Sequence, residues 1–456
     1  MWGRKLKLIY LMAAFLGGSS LSAQNITRSP YSVIGLGESV STGNASQFSM
    51  GGVNQGIRRP TLINWQNPAS YSAIRTTVIE AGGALSFGTF TSNTATTQVN
   101  NAWLSYLNFA VPLANKGGAG LSFGLSPFTS IGYDITSSFT IPNDTFSIPA
   151  SYIFSGRGGL SKVHIGYGMN VYKGLSAGAN LGYVFGRGTR TTQLFIPSQY
   201  NMFNLNEDRG SYTSGLLTEL GLQYQGKIKF KVTRKSVEVL ENPADEKSKK
   251  VTRNISRFDS LVFTLGGNYQ LEANLAGDEE YLLRTLPNGA LSGSKDTVEN
   301  KTLKTGTIHY PASLKIGFSI GKPDYWMIAG DYHHTAWSGF TAFGQNDSLR
   351  DAYGFRVGGY FCPDPLDNKK ILKRLEYRAG FRYDQTNVYV NGTGMNEWGV
   401  SAGIGAPLSR LGSKLNIGME YVQRGSKSNN LLEENYFRII LGITFSDRWF
   451  LRYRYD

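Results

Sequence analysis

Between Leu375 and Asp384 the chain alternates in chemistry with a period of two. Glu376, Arg378, Gly380, Arg382 and Asp384 occupy one parity, and Tyr377, Ala379, Phe381 and Tyr383 the other. Successive side chains of a strand point to opposite faces, so four charges share one face of a single strand. Such a face is intolerable toward lipid and must point inward. The pattern recurs. In Pro311 to Ile320, Ala312, Leu314, Ile316, Phe318 and Ile320 oppose Ser313, Lys315, Gly317 and Ser319. In Trp398 to Ala406, Trp398, Val400, Ala402, Ile404 and Ala406 oppose Gly399, Ser401, Gly403 and Gly405. In Leu415 to Tyr421, Leu415, Ile417, Met419 and Tyr421 oppose Asn416, Gly418 and Glu420.

Residues 1–23 read as a secretory signal peptide: Arg4, Lys5 and Lys7, an apolar run from Leu8 to Leu16, then Ser22-Ala23. That run is too short to span a membrane, and no later stretch offers the roughly 20 apolar residues a spanning helix needs. Glycine is 55 of 456 residues, about 12% against the roughly 7% of average proteins, with 26 Tyr, 25 Phe and 7 Trp. An exported, glycine- and aromatic-rich chain of alternating segments fits an outer-membrane barrel, because in lipid only helices and closed barrels satisfy every backbone polar group. The single cysteine, Cys362, excludes an internal disulfide and a cysteine zinc cluster. Without Arg4, Lys5 and Lys7 the net charge falls from +14 to +11. Anionic outer-membrane lipids or an acidic partner suit an exported basic chain better than nucleic acid.

Strand signals begin at Thr76 and give an all-β chain, a transmembrane antiparallel β-barrel of fourteen strands: 76–90, 101–113, 118–135, 149–171, 174–191, 211–230, 256–271, 306–321, 323–337, 351–362, 372–389, 395–407, 412–424 and 434–446. Residues 24–75 have no sustained period and read as a compact plug, or hatch, that the barrel (76–446) closes around. With the plug at the periplasmic end, loops alternate short inside (172–174, 321–324, 407–412) and long outside (136–148, 192–210, 272–305, 338–350). Lys227 to Arg257 breaks the rule. It is periplasmic by parity, carries ten Lys and Arg against four acids, and reads as a protruding basic hairpin. The extension 447–456 either prolongs the last strand past a bulge or forms a fifteenth segment.

No catalytic constellation, cofactor motif or metal site stands out, and no Ser/His/Asp grouping can be built from four scattered His. Neighbours in a strand face apart, so His333 and His334 cannot share a metal without a bend. Gly158-Gly159 and Gly186-Arg187-Gly188 lack the following helix of a phosphate loop and read as barrel glycines. Pro127 removes a ladder donor within Leu121 to Tyr133. Either the third strand ends there, with Phe128 onward as loop, or it kinks and opens a gap toward lipid. The inward Arg356, Arg378, Arg382 and Arg438 either hold a ligand carboxylate by paired hydrogen bonds or neutralise Glu376, Asp384, Glu420 and the plug.

Several segments together resemble the FadL/OmpP1/TodX family of outer-membrane transporters for long-chain fatty acids and other hydrophobic compounds, in a form similar to those of Bacteroidetes. Met50-Gly51-Gly52-Val53 and Asn67-Pro68-Ala69 are similar to its Gly-Gly-Ala and Asn-Pro-Ala hatch signature, with Val53 in place of the usual Ala. Gly124-Leu125-Ser126-Pro127-Phe128 resembles its third-strand Pro-Phe element. Tyr310 to Gly317 and Asp331 to Phe340 resemble two further strand motifs. The resemblance implies a fourteen-strand barrel, a luminal hatch, passive uptake of a hydrophobic small molecule or lipid, and lateral exit at a kinked third strand through Gly124, Ser126, Pro127 and Phe128. The basic 227–257 segment and the 446–456 tail are additions. They support an alternative, a non-transporting docking barrel that recruits protein partners in an outer-membrane secretion or assembly complex.

Overall fold

The structure is a computed structural model that describes residues 26–40, 43–114, 118–142, 147–240, 249–346, 349–367, 369–390, 392–409 and 411–449, with side chains at 232–240, 249–258, 304 and 430 outside that description. The expected signal peptide, the tip of the basic hairpin at 241–248 and the tail from 450 onward lie outside the described residues.

Fourteen wall strands form one antiparallel sheet. They are β1 (Thr77–Thr91), β2 (Thr96–Pro112), β3 (Ala119–Pro142), β4 (Ser147–Tyr172), β5 (Leu175–Phe195), β6 (Asn204–Leu240), β7 (Lys249–Gln270, resumed at Ala273–Leu286), β8 (Asp296–Tyr310, resumed at Ser313–Lys322), β9 (Trp326–Thr335), β10 (Ala352–Phe361), β11 (Glu376–Val390), β12 (Thr393–Pro407), β13 (Lys414–Arg424) and β14 (Glu433–Asp447). β14 pairs with β1 from Glu433↔Thr91 to Asp447↔Thr77, which closes the sheet into a barrel. β8 is interrupted at Pro311, which has no N–H to give a ladder, and β7 is interrupted beside it.

The alternation read from the sequence is the alternation observed. Leu314, Ile316, Phe318, Tyr377, Phe381, Val400 and Met419 are exposed on the outer face, whereas Ser313, Ser319, Glu376, Arg378, Arg382, Ser401, Asn416 and Glu420 are buried inside. The outer belt continues round the wall through Leu107, Phe123, Ile165, Leu181, Leu220 and Leu265, as a surface facing hydrocarbon requires. Tight connections at 173–174 and 323–325 lie at the end where β1 starts and β14 stops.

At the other end several expected loops are strand. The β3–β4 ladder runs on to Pro142↔Ser147, and β9–β10 is the connection that folds inward, Thr341–Ala342 pairing with Ile308 and His309. The basic segment is a two-stranded extension of β6 and β7, paired as far as Leu240↔Lys249. No fifteenth strand forms among the described residues after Asp447, where Trp449 packs 6.0 Å from Phe109.

Residues 26–40 and 43–76 run through the lumen as short pieces: a 3-10 turn Pro30–Val33, a two-residue strand Glu38–Ser39, one helical turn Ala45–Phe48 and a 3-10 helix Pro68–Ala73. Ala45, Val53, Ile57, Ile63, Trp65, Ala69, Tyr71 and Ile74 are buried, and the hydrophobic clusters join them to inward residues such as Tyr106, Ala329 and Ile440.

Candidate functional site

The hatch residues are the fasteners of the luminal segment. Asn44 and Gln47 form a reciprocal capping box on the helical turn. Gly51 and Gly52 then reverse the chain with φ of +69° and +79°, a region that L side chains avoid. The Met50-Gly51 backbone lies flat on wall glycines. A Cβ on Gly380 of β11 would sit 2.1 Å from the Met50 carbonyl carbon, and one on Gly358 of β10 would sit 2.1 Å from its oxygen. The Gly51 N–H donates to Ser401 Oγ at 2.7 Å, and Val53 is fully buried.

Asn67 caps the Pro68–Ala73 helix, its Oδ1 accepting from the Ala69 N–H at 3.2 Å. Its amide also donates to the wall carbonyls of Leu222 and Gly267, at 3.3 and 3.2 Å. Asn54 and Gln55 donate their N–H groups to Asp331 Oδ2.

Inward charges form two clusters, one around Glu376 and one around Arg382 and Arg424. Glu376 receives Arg59 of the plug at 2.7 Å, Arg378 at 2.6 Å, and Lys414. Arg382 meets Asp384 at 2.8 Å, Glu397 at 2.5 Å and Glu420 at 2.6 Å. Arg424 meets Glu397 at 2.5 Å and Glu38 of the plug at 2.6 Å. Burial pushes the Glu38 carboxyl up, but Arg424, Arg438 and the Thr27 hydroxyl together outweigh it and hold the carboxyl below the usual carboxylate range.

The four candidate arginines therefore differ. Arg378 is held by Glu376 and Asn416 away from the cavity wall, and Arg382 is enclosed by three carboxylates. Arg356 and Arg438 face the cavity and are more loosely held, 3.8 Å from Asp384 and 3.7 Å from Glu420. His333 points inward, 3.3 Å from Asp384, whereas His334 faces Asp351 on the other side. Among the described residues no three His, Cys, Asp or Glu side chains come together as a metal site.

Above the plug lies a cavity of about 320 Å³. Its wall carries both signs of charge, Lys162, Lys315, Arg356 and Arg438 against Glu38, Glu219, Asp331, Asp384 and Glu397, together with apolar Trp103, Phe128, Tyr310, Trp337 and Ile440. None of Met50 to Val53 or Asn67 to Ala69 is on its wall.

This cavity reaches a place where neighbouring wall strands part. β2 and β3 are paired only from Leu107↔Leu125 to Pro112↔Gly120. Beyond that, the only wall strand β2 bonds to is β1, and the only one β3 bonds to is β4, among the described residues. The divergence begins at Pro127, where a bulge against Ser161 and Leu160 shifts the register. The third strand thus neither ends nor turns to loop at Pro127; it continues, bent, to Pro142. Phe128 packs 5.4 Å from Tyr310, on the cavity side.

The bare edge of β3 is capped by the plug. Glu38 and Ser39 pair with Ser130 and Thr129, the Val40 N–H donates to Phe128 O at 3.1 Å, and Thr129 Oγ1 donates to Leu36 O at 2.8 Å. Gly124 sits between Asn108 and His164, where a Cβ would fall 1.8 Å from Asn108 Oδ1. The buried side-chain polar atoms of Asn108, Ser126 and His164 make no hydrogen bond among the described residues. Glu38, Arg59, Glu397 and Glu434 are structural contributors that the sequence reading did not single out. Inward parity was the only signal available for the last two.

A closed barrel with an apolar belt and its own N-terminal segment fastened in the lumen is a plugged, membrane-spanning β-barrel. The sequence matches the profile of the BamG family over residues 5–456, and the chain belongs to that family. Its fold is shared with the toluene transporter TodX of P. putida at TM-score 0.55 and 15% identity, over 90% of this chain and 100% of that one. It is also shared with a FadL homologue of Pseudomonas aeruginosa at TM-score 0.55 and 12% identity, over 90% and 99%. The CymD monoaromatic hydrocarbon channel gives 0.53 and 14%, again over 90% and 99%. The resemblance read from the sequence is thus one of fold, while the family match carries a different name. Comparison with curated proteins finds no match.

Proposed function

We propose that this chain is an outer-membrane barrel for passive passage of a small hydrophobic or amphiphilic molecule, a long-chain fatty acid being the leading case. The ligand is held above the plug and leaves sideways between β2 and β3. The observation that carries this reading is the continuity of cavity and opening: Trp103 and Ser105, on the unpaired stretch of β2, and Phe128 and Ser130, past the bulge of β3, all line the cavity. The apolar part of the wall suits a hydrophobic chain, with the loosely paired Arg356 and Arg438 as carboxylate contacts and Arg378 and Arg382 as struts. Straightening the third strand with Ser126→Val and Pro127→Val should abolish fatty-acid uptake into proteoliposomes. Unchanged uptake would sink lateral exit.

The β6–β7 extension favours a second reading, since ligand passage has no use for it. In that reading the barrel docks protein partners at the periplasmic end. A complex that survives mild detergent and dissolves when 227–257 is deleted would support it; a lone monomer would count against it.

A further inference from the structure

A second cavity, of about 510 Å³, opens beneath the plug at the end of the barrel where β1 starts and β14 stops. Arg58 and Arg59 of the plug, Arg75 at the entry to β1 and Lys227 of β6 line it, with Asp324 as the carboxylate on its wall. Arg59 is neutralised, donating to Glu376 at 2.7 Å and lying 3.7 Å from Asp324.

Arg58 is not. Its guanidinium donates to neutral oxygens, Ser176 Oγ at 2.6 Å, Asn170 Oδ1 at 2.8 Å and Ala69 O at 3.4 Å. Ser176 Oγ donates in turn to Asn170 Oδ1 at 2.8 Å, so the cradle is itself tied together. Among the described residues no acid forms an ion pair with Arg58, Arg75 or Lys227. Burial without a counter-charge pushes Arg58 down to about 10. A half-buried cation held by neutral acceptors is oriented but uncompensated, and a carboxylate entering the mouth would supply the missing charge.

We propose that this mouth binds an acidic polypeptide segment reaching the barrel from the periplasm, with one carboxylate on Arg58 and flanking acids on Arg75 and Lys227. Two observations favour a peptide over a lipid headgroup. The site is ringed mainly by inward wall residues, Gln225, Thr264, Ser319 and Tyr360 among them. Lys227 also begins the β6–β7 extension, whose 227–257 sequence carries ten Lys and Arg against four acids. A cationic tract of that length matches an extended acidic chain better than one phosphate.

The inference does not rest on ligand passage; it names the contact that a docking role would use. Peptide binding and recovery of a complex are separate readouts, so either can fail alone. The test is calorimetric titration of hexaglutamate into the full barrel in zwitterionic nanodiscs at low salt. Binding should weaken at least about tenfold in Arg58→Gln and in Arg75→Gln with Lys227→Gln, and be restored in part by Arg58→Lys. It should be unaffected by Lys295→Gln at the opposite end. Unchanged heat-modifiable gel mobility shows that each variant is folded. Absence of hexaglutamate binding, or binding indifferent to these substitutions, would overturn the proposal. So would equally tight binding of inorganic phosphate, or displacement of the peptide by phosphatidylglycerol placed in the disc.

Discussion

Glu38 ties the bare edge of β3 to a strand farther round the wall: its backbone pairs with Ser130 on β3, and its carboxylate lies 2.6 Å from Arg424 on β13. The plug strand is therefore a staple over the edge of β3, and its release is the event that the proposed lateral exit would need. Glu38→Gln should weaken this docking by about 1–3 kcal/mol, since a charged hydrogen bond is lost while Arg424 keeps Glu397. Arg424→Ala should cost more, about 3–5 kcal/mol, because it strands buried carboxylates. Hydrogen exchange at 36–40 reads both. Protection equal to that of the unmodified chain would refute the staple.

The same pair sets a pH dependence. The docked Glu38 carboxyl lies below its free value, so its contribution is fully present above about pH 4.3, the ordinary glutamate value, and is lost as pH falls through the docked value. Proteolysis of the N-terminal segment should accelerate in acid for the unmodified chain, with a smaller change in Glu38→Gln.

Gly380→Ala should expel the Met50-Gly51 turn, because the new Cβ would fall 2.1 Å from main chain that cannot swing aside. The expected cost is about 1–3 kcal/mol or more. Gly267→Ala, whose Cβ would meet nothing nearer than 3.7 Å, is the matched control and should be silent. Trypsin cleavage after Arg58 distinguishes the two.

Arg356→Ala with Arg438→Ala should reduce oleate affinity by about 1.5–3 kcal/mol and leave the affinity for the corresponding alcohol nearly unchanged. Arg378→Ala should instead lower thermal stability, because it breaks the Glu376 cluster that holds Arg59. A matching loss of alcohol binding in the double variant would assign those arginines to packing.

Asn67→Ala removes a helix cap and two donors to the wall, Asn67→Asp only the donors. Plug protection should fall in both, further in the alanine variant, by about 1–2 kcal/mol for the cap. Equal protection in both would assign the effect to the wall contacts alone.

The wall was legible because lipid outside and water inside force a two-residue alternation, as in Glu376 to Asp384. Where the strands rise beyond the bilayer that contrast disappears. Ser137 and Ser138 meet water on both faces, and a segment read as loop is ladder up to Pro142↔Ser147. The site was legible only in outline. Pro127 announced a lost ladder donor, but the sequence alone could not choose between an ended strand and a bulge. The pairing of Glu38 with Arg424, or of Arg59 with Glu376, joins residues remote in the chain by a geometry that no local pattern encodes.

Asp331, Glu376, Ser401, Arg424 and Glu434, which bond the plug, all belong to β9 through β14. The strands made last thus complete an anchorage that β1 to β8 begin through Glu80, Asn180, Gln223 and Ser319. Until β14 zips onto β1, the plug lacks these later partners and its Arg59 and Glu38 lack their counter-charges. Completion of the wall and seating of the plug are then one event, and a chain interrupted before its final strands would leave neither a stopper nor a vessel.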